Sequence, residues 1–159
     1  VLGITEGVER HSLGAEKIRF AVETQHMFSA MDSLNLCQFV FGPTVQLYGP
    51  NDMVELVRTV TGWDDVTFQE LQEVGERRLN MMRAFNAREG LDRKNDLIPE
   101  KLFKPMKGGA SDGWVLDRDE MEGAMDKYFE LCGWDVKTGN PTRNKLEELD
   151  LGWVADQLA

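Results

Sequence analysis

The sequence predicts an all-α fold, an irregular multi-helix bundle. Two observations carry that expectation. Apolar residues recur at three- and four-residue intervals in several windows of the 159-residue chain, and no alternation of apolar and polar residues persists long enough to make a strand. In addition, Thr67 with Glu70 and Asp117 with Glu120 have the spacing of capping boxes, in which side chains satisfy amides at a helix start.

Residues 1–14 read as a lead-in without clear structure, and 15–159 as one helical domain. A first helix is expected over 15–31, with Phe20, Thr24, Met27, Phe28 and Met31 on the face toward the core. His26 falls away from that stripe and is expected in solvent or against a partner domain, and His11 lies in the lead-in. A turn follows from Asp32 to Cys37, then the apolar Phe39, Val40 and Phe41, before Gly42 and Pro43 stop regular structure.

Pro50 and Asn51 open a short helix with Met53, Leu56, Val57 and Val60 on one face, and Gly62 ends it. The helix capped by Thr67 should reach about Glu89 and stop at Gly90. Residues 91–115, with Pro99, Pro105, Gly108 and Gly109, read as a long irregular connection. Asp117 opens the next helix, whose Met121, Ala124, Met125, Tyr128 and Phe129 share a face up to Gly133. Asn140, Pro141 and Thr142 start a last short helix through Leu146 and Leu149.

Charge narrows the function classes. With 28 acidic against 18 basic residues the net charge is −10, which repels phosphate backbones and argues against nucleic-acid binding. No apolar run approaches the ~20 residues of a membrane span. Two cysteines, Cys37 and Cys132, are too few for a disulfide framework and suit a reducing cytoplasm. The chain begins at Val1, which suggests a piece of a longer protein.

On their own, the chemistry-bearing residues leave alternatives open. Cys37 reads as a metal ligand or as a buried thiol, and Asp32 as a functional carboxylate or as a brace for its turn. Cys132, beside Gly133, reads as a packed, inert thiol. Arg78 lies on an otherwise apolar stripe with Leu71, Val74, Gly75, Met82 and Phe85, where its stem can pack while its head reaches outward. A contact to an acidic group elsewhere is the functional alternative. Arg77, Arg83 and Arg88 are expected to pair on the helix surface with Glu73, Glu76 and Glu89.

The run Asp32, Ser33, Leu34, Asn35, Leu36, Cys37 resembles the second pterin-binding motif of the aldehyde ferredoxin oxidoreductase family: an aspartate, two variable residues, glycine, leucine and cysteine. Asn35 stands in the glycine position, and asparagine adopts the left-handed conformation more readily than most other residues. The resemblance continues through Gly75, Glu76, Arg77, Asn80, Arg83, Phe85 and Asn86, then Arg88, Glu89 and Gly90. It runs on through Arg93, Asp96, Pro99, Tyr128, Gly133, Trp134, Asp135, Thr138, Gly139, Pro141 and Thr142, covering roughly residues 20–151. Arg78 departs from the pattern, which generally has an aliphatic residue there.

The resemblance implies the C-terminal helical domains 2 and 3 of a tungsten enzyme that oxidises an aldehyde to a carboxylic acid and passes electrons through a 4Fe–4S cluster to ferredoxin. Its cofactors would be a tungsten or molybdenum bis-pyranopterin and that cluster. Asp32 and Leu36 would contact a pterin, and Cys37 would be both a cofactor contact and one cluster ligand. The other three thiolates would come from a C-x2-C-x3-C run in N-terminal domains of the same enzyme. No catalytic residue is expected in these 159 residues, so alone they should be inactive and without either cofactor. The alternatives are the same region of a related tungsten enzyme of benzoyl-CoA reductase type, and a helical interaction module without chemistry.

Overall fold

A computed structural model describes residues 7–42 and 47–158; Pro43, expected with Gly42 to stop regular structure, lies outside them. Among these residues seven α-helices form: α1 (Ala15–Ser33), α2 (Gln38–Phe41), α3 (Pro50–Thr61), α4 (Phe68–Arg88), α5 (Arg118–Cys132), α6 (Arg143–Glu148) and α7 (Gly152–Ala155). The expected all-α class is what is found. Among the described residues the one strand-like pairing is an isolated bridge between Trp134 and Pro141. No helix among them is long and apolar enough to cross a membrane.

The fold is organised around α1 and α4, which pack along their length. Gln72 Nε2 donates to the Glu23 carbonyl at 3.5 Å, Gly75 lies against the His26 carbonyl, and Arg78 Nη1 donates to Ser29 Oγ at 3.2 Å. Each of these pairs is 49 residues apart in sequence, so the two helices run parallel in constant register. Gly75 and Ala30 permit the approach, since any larger side chain at position 75 would strike α1's backbone.

Two apolar clusters lie along α4. One joins Met27, Ala30 and Met31 of α1 to Met53, Val54 and Val57 of α3, with Val66 and Leu71. The other joins Ala84 to Leu146, Leu149, Leu151, Val154 and Ala155. Between them, fully buried Asn80 accepts from Trp134 Nε1 at 2.8 Å and donates to the Glu76 carbonyl at 3.0 Å, so its amide is not left unpaired.

The helix faces differ in part from expectation. Phe20 is exposed, and Ile18 and Val22 are buried in its stead, because α1 is covered by α5 as well as by α4. On α3, Val54 is buried, while Leu56 and Val60 are exposed, since the face that meets the cluster is that of Met53, Val54 and Val57. The expected capping boxes form only half. Thr67 Oγ1 accepts from the Glu70 amide and Asp117 Oδ1 from the Glu120 amide, but Glu120 Oε1 accepts from Leu13 N–H at 3.3 Å instead of turning back to Asp117. The lead-in is also tied down at His11, whose ring stacks on Trp114 with centroids 4.8 Å apart.

Four helix ends share one form. α1, α4, α5 and α6 each close with paired backbone bonds through a left-handed residue, namely Asn35, Gly90, Gly133 and Asp150. The connection over 91–115 holds only three single 3₁₀ turns, as its prolines and glycines foretell. It is pinned to the bundle by Arg83, which grips Asp96 with both ends of its guanidinium at 2.8 and 2.6 Å and donates to the Gly139 carbonyl at 2.7 Å.

That grip corrects the surface-pairing expectation for Arg83, and Arg77 differs likewise, donating to the Leu149 carbonyl at 2.8 Å. Glu76 pairs instead with Lys145 at 3.0 Å. Only Arg88 pairs as expected, with Glu89 at 2.9 Å. Tertiary partners prevail because each arginine except Arg88 faces another element with unsatisfied carbonyls or a carboxylate.

Candidate functional site

α1 ends in a turn that the backbone builds by itself. The Leu36 amide donates to the Met31 carbonyl at 2.9 Å and the Asn35 amide to the Asp32 carbonyl at 3.2 Å, with Asn35 at φ 55°. These bonds satisfy carbonyls that a helix end leaves unpaired. Leu36, half-buried, packs on the cluster that contains Met31 and so fastens the turn to the core. Its amide is consumed by the turn.

The turn holds Asp32 and Cys37 in place without burying either. Asp32 sits in the last turn of α1, and its carboxylate is 43% exposed. Cys37 is exposed and stands at the N-cap of α2 with extended backbone, φ −74° and ψ 123°. Beside it Phe39 is largely exposed, as are Leu47 and Tyr48 further along the chain, so apolar side chains reach the surface here.

Asp32 is not accounted for by its turn. Its carboxylate takes no part in capping, and it sits at the negative end of the helix dipole in a last turn with no basic residue. The compensating cation comes from α4: Arg78 Nη1 lies 3.3 Å from Asp32 Oδ2 while also donating to buried Ser29 Oγ. The outward reach expected of the Arg78 head is therefore toward this chain's own aspartate. Neither partner could be paired from sequence, since 46 residues separate them and only the parallel register of α1 and α4 aligns them.

Other titratable groups serve the fold. Burial pushes the Cys132 thiol up to about 11, leaving little thiolate near neutrality. His26 is half-buried against α4 rather than solvated, and desolvation lowers its pKa below the ordinary value, with Glu76 opposing. A cleft of about 450 Å³ lies away from this turn, among Arg93, Asp96, Phe103, Arg118, Met121 and Lys137. Its main charges are internally matched: Arg93 pairs with Glu122 and Asp126, Arg118 with Glu100, and Asp96 with Arg83.

The donor chemistry of the turn suits a thiophilic metal at Cys37 and a hydrogen-bonding heterocycle at Asp32. Among the described residues no group of three or more His, Cys, Asp or Glu side chains could enclose a metal.

Residues 2–151 match the family described as aldehyde ferredoxin oxidoreductase, domains 2 and 3. The chain is 32% identical over 154 residues to tungsten-containing aldehyde ferredoxin oxidoreductases from Pyrococcus abyssi and Pyrococcus furiosus, covering 95% of its own length and 24% of theirs. It thus spans about a quarter of the relatives it matches. Over 126 residues it is 29% identical to the WOR-like subunit of an aliphatic sulfonate oxidoreductase from Pyrococcus furiosus, covering 76% of this chain and 19% of that protein.

Proposed function

This chain belongs to the aldehyde ferredoxin oxidoreductase family, and on that premise we propose that it is the C-terminal part of an aldehyde-oxidising tungsten enzyme, supplying one pterin contact and one cluster ligand. The observation that carries the reading is the single backbone-closed turn after α1, which presents Asp32 and Cys37 together on an exposed surface.

When bound, a tungsten–pterin centre would convert aldehyde and water to carboxylic acid, two protons and two electrons, which a 4Fe–4S cluster would deliver singly to ferredoxin. The chain's own residues hold and orient. The Asp32 carboxylate accepts hydrogen bonds from pterin N–H groups, the Leu36 side chain fixes the turn on which both functional groups ride, and the Cys37 thiolate binds one iron. Placing the two on one turn couples the pterin's position to the cluster's. Remaining thiolates and the substrate pocket belong to N-terminal domains of the same protein.

A second reading concerns the substrate. The weaker similarity to the sulfonate oxidoreductase subunit makes an aliphatic sulfonate the alternative to an aldehyde, and the pterin and cluster roles stay the same.

The test is made on the intact protein that contains this chain. Cys37→Ser is expected to lower iron content and ferredoxin reduction while leaving pterin in place, and Asp32→Asn to weaken pterin retention first. Wild-type iron in Cys37→Ser would refute the ligand role. Turnover with aldehydes against aliphatic sulfonates separates the two substrate readings.

A further inference from the structure

We propose that Arg78 is the positioning residue of Asp32, fixing the carboxylate for a bound pterin; this rests on the reading of Asp32 as a pterin contact. Arg78 Nη1 is shared between Asp32 Oδ2 at 3.3 Å and Ser29 Oγ at 3.2 Å, and Ser29 is 3% exposed. The guanidinium is therefore anchored in the α1–α4 seam and pairs with the carboxylate from there. Among the described residues neither carboxylate oxygen of Asp32 has a hydrogen-bond partner; Arg78 meets the carboxylate as an ion pair at Oδ2, which leaves Oδ1 to accept from a ligand.

Fold stability does not explain this pair. With side chains 37% and 43% exposed, an ion pair contributes little. The acid also lies at the wrong end of its helix, and on the half-buried stripe between Gly75 and Met82 an aliphatic side chain would pack with less desolvation. What the pair does achieve is geometric. A lone exposed aspartate samples several rotamers, whereas a carboxylate ion-paired at one oxygen to an arginine rooted in the seam has fewer of them open to it. Supporting contacts orient a ligand-binding group, and behind metal ligands the loss of one costs roughly ten- to a hundredfold in affinity.

The experiment compares Arg78→Met, Arg78→Lys, Asp32→Asn and the double variant Asp32→Asn with Arg78→Met in the intact protein. Pterin loss on dilution is followed by fluorescence of the oxidised pterin, and the thermal midpoint of the 159-residue chain is followed alongside. Arg78→Met is expected to speed pterin loss roughly tenfold, Arg78→Lys to restore part of it, and the double variant to match Asp32→Asn alone, with midpoints little changed. If Arg78→Met fails to fold, Arg78→Gln replaces it. Slower or unchanged pterin loss in Arg78→Met, or an effect that persists undiminished in the Asp32→Asn background, would overturn the positioning role. Asp32→Asn that holds pterin like wild type would sink the underlying reading instead.

Discussion

A Cβ placed on Gly75 would stand 1.9 Å from the His26 carbonyl oxygen and 2.9 Å from the Ala30 amide nitrogen. Both are backbone atoms of α1, held by helix hydrogen bonds, so neither can yield without parting the two central helices. Replacing a mid-helix glycine by alanine ordinarily gains about 1 kcal/mol. Here the clash outweighs that gain, and Gly75→Ala is expected to destabilise the chain by roughly 3 kcal/mol. Urea unfolding measures it; unchanged or increased stability would show that the α1–α4 seam is looser than its geometry.

Arg83 and Arg88 lie on the same helix, yet their replacement should differ in cost. Arg83 is 11% exposed, and its removal strands the Asp96 carboxylate and the Gly139 carbonyl. Arg83→Met is expected to cost about 3 kcal/mol. Arg88, with its partner Glu89, is more than half exposed, so Arg88→Met should change stability by less than about 1 kcal/mol. Equal losses in the two variants would contradict the contrast.

His26 predicts a pH dependence. Burial lowers its folded pKa below the unfolded value of 6.5, so the unfolded chain takes up the proton first. Stability therefore falls as pH drops through 6.5 and levels off below the folded value. Glu76, Lys145 and Glu23 also face the ring, so the contribution of His26 is read as the difference between wild type and His26→Gln. The wild type should show the steeper loss from pH 7 toward 5; parallel profiles would exclude His26 as the source.

The two thiols should separate cleanly. Cys37 is exposed, whereas Cys132 is buried with its thiol pushed up to about 11. One thiol per native chain is expected to react promptly with a disulfide reagent at pH 8, and the second only on unfolding. Cys37→Ser should abolish the fast phase. A fast phase that survives in that variant would place the reactive thiol at Cys132.

The sequence alone determined what short-range chemistry controls. Helical periodicity and the caps at Thr67 and Asp117 put α4 and α5 within a residue or two of where they lie, because each signal acts within one or two turns. The left-handed turn at Asn35 after Asp32 follows from the same local rules, whereas the residues alone left Cys37 open between an exposed ligand and a buried thiol. Tertiary structure decided which helix meets which. Periodicity records that a face is apolar, not what covers it, so Phe20 and Val60 were assigned to a core that reaches neither. The 49-residue register of α1 on α4 depends on how closely Gly75 and Ala30 let two backbones approach, and no local pattern states it. From that register come the burial of His26 and the reach of Arg78 to Asp32. Long side chains find partners by where packed helices carry them, and that is fixed only when the whole chain has closed.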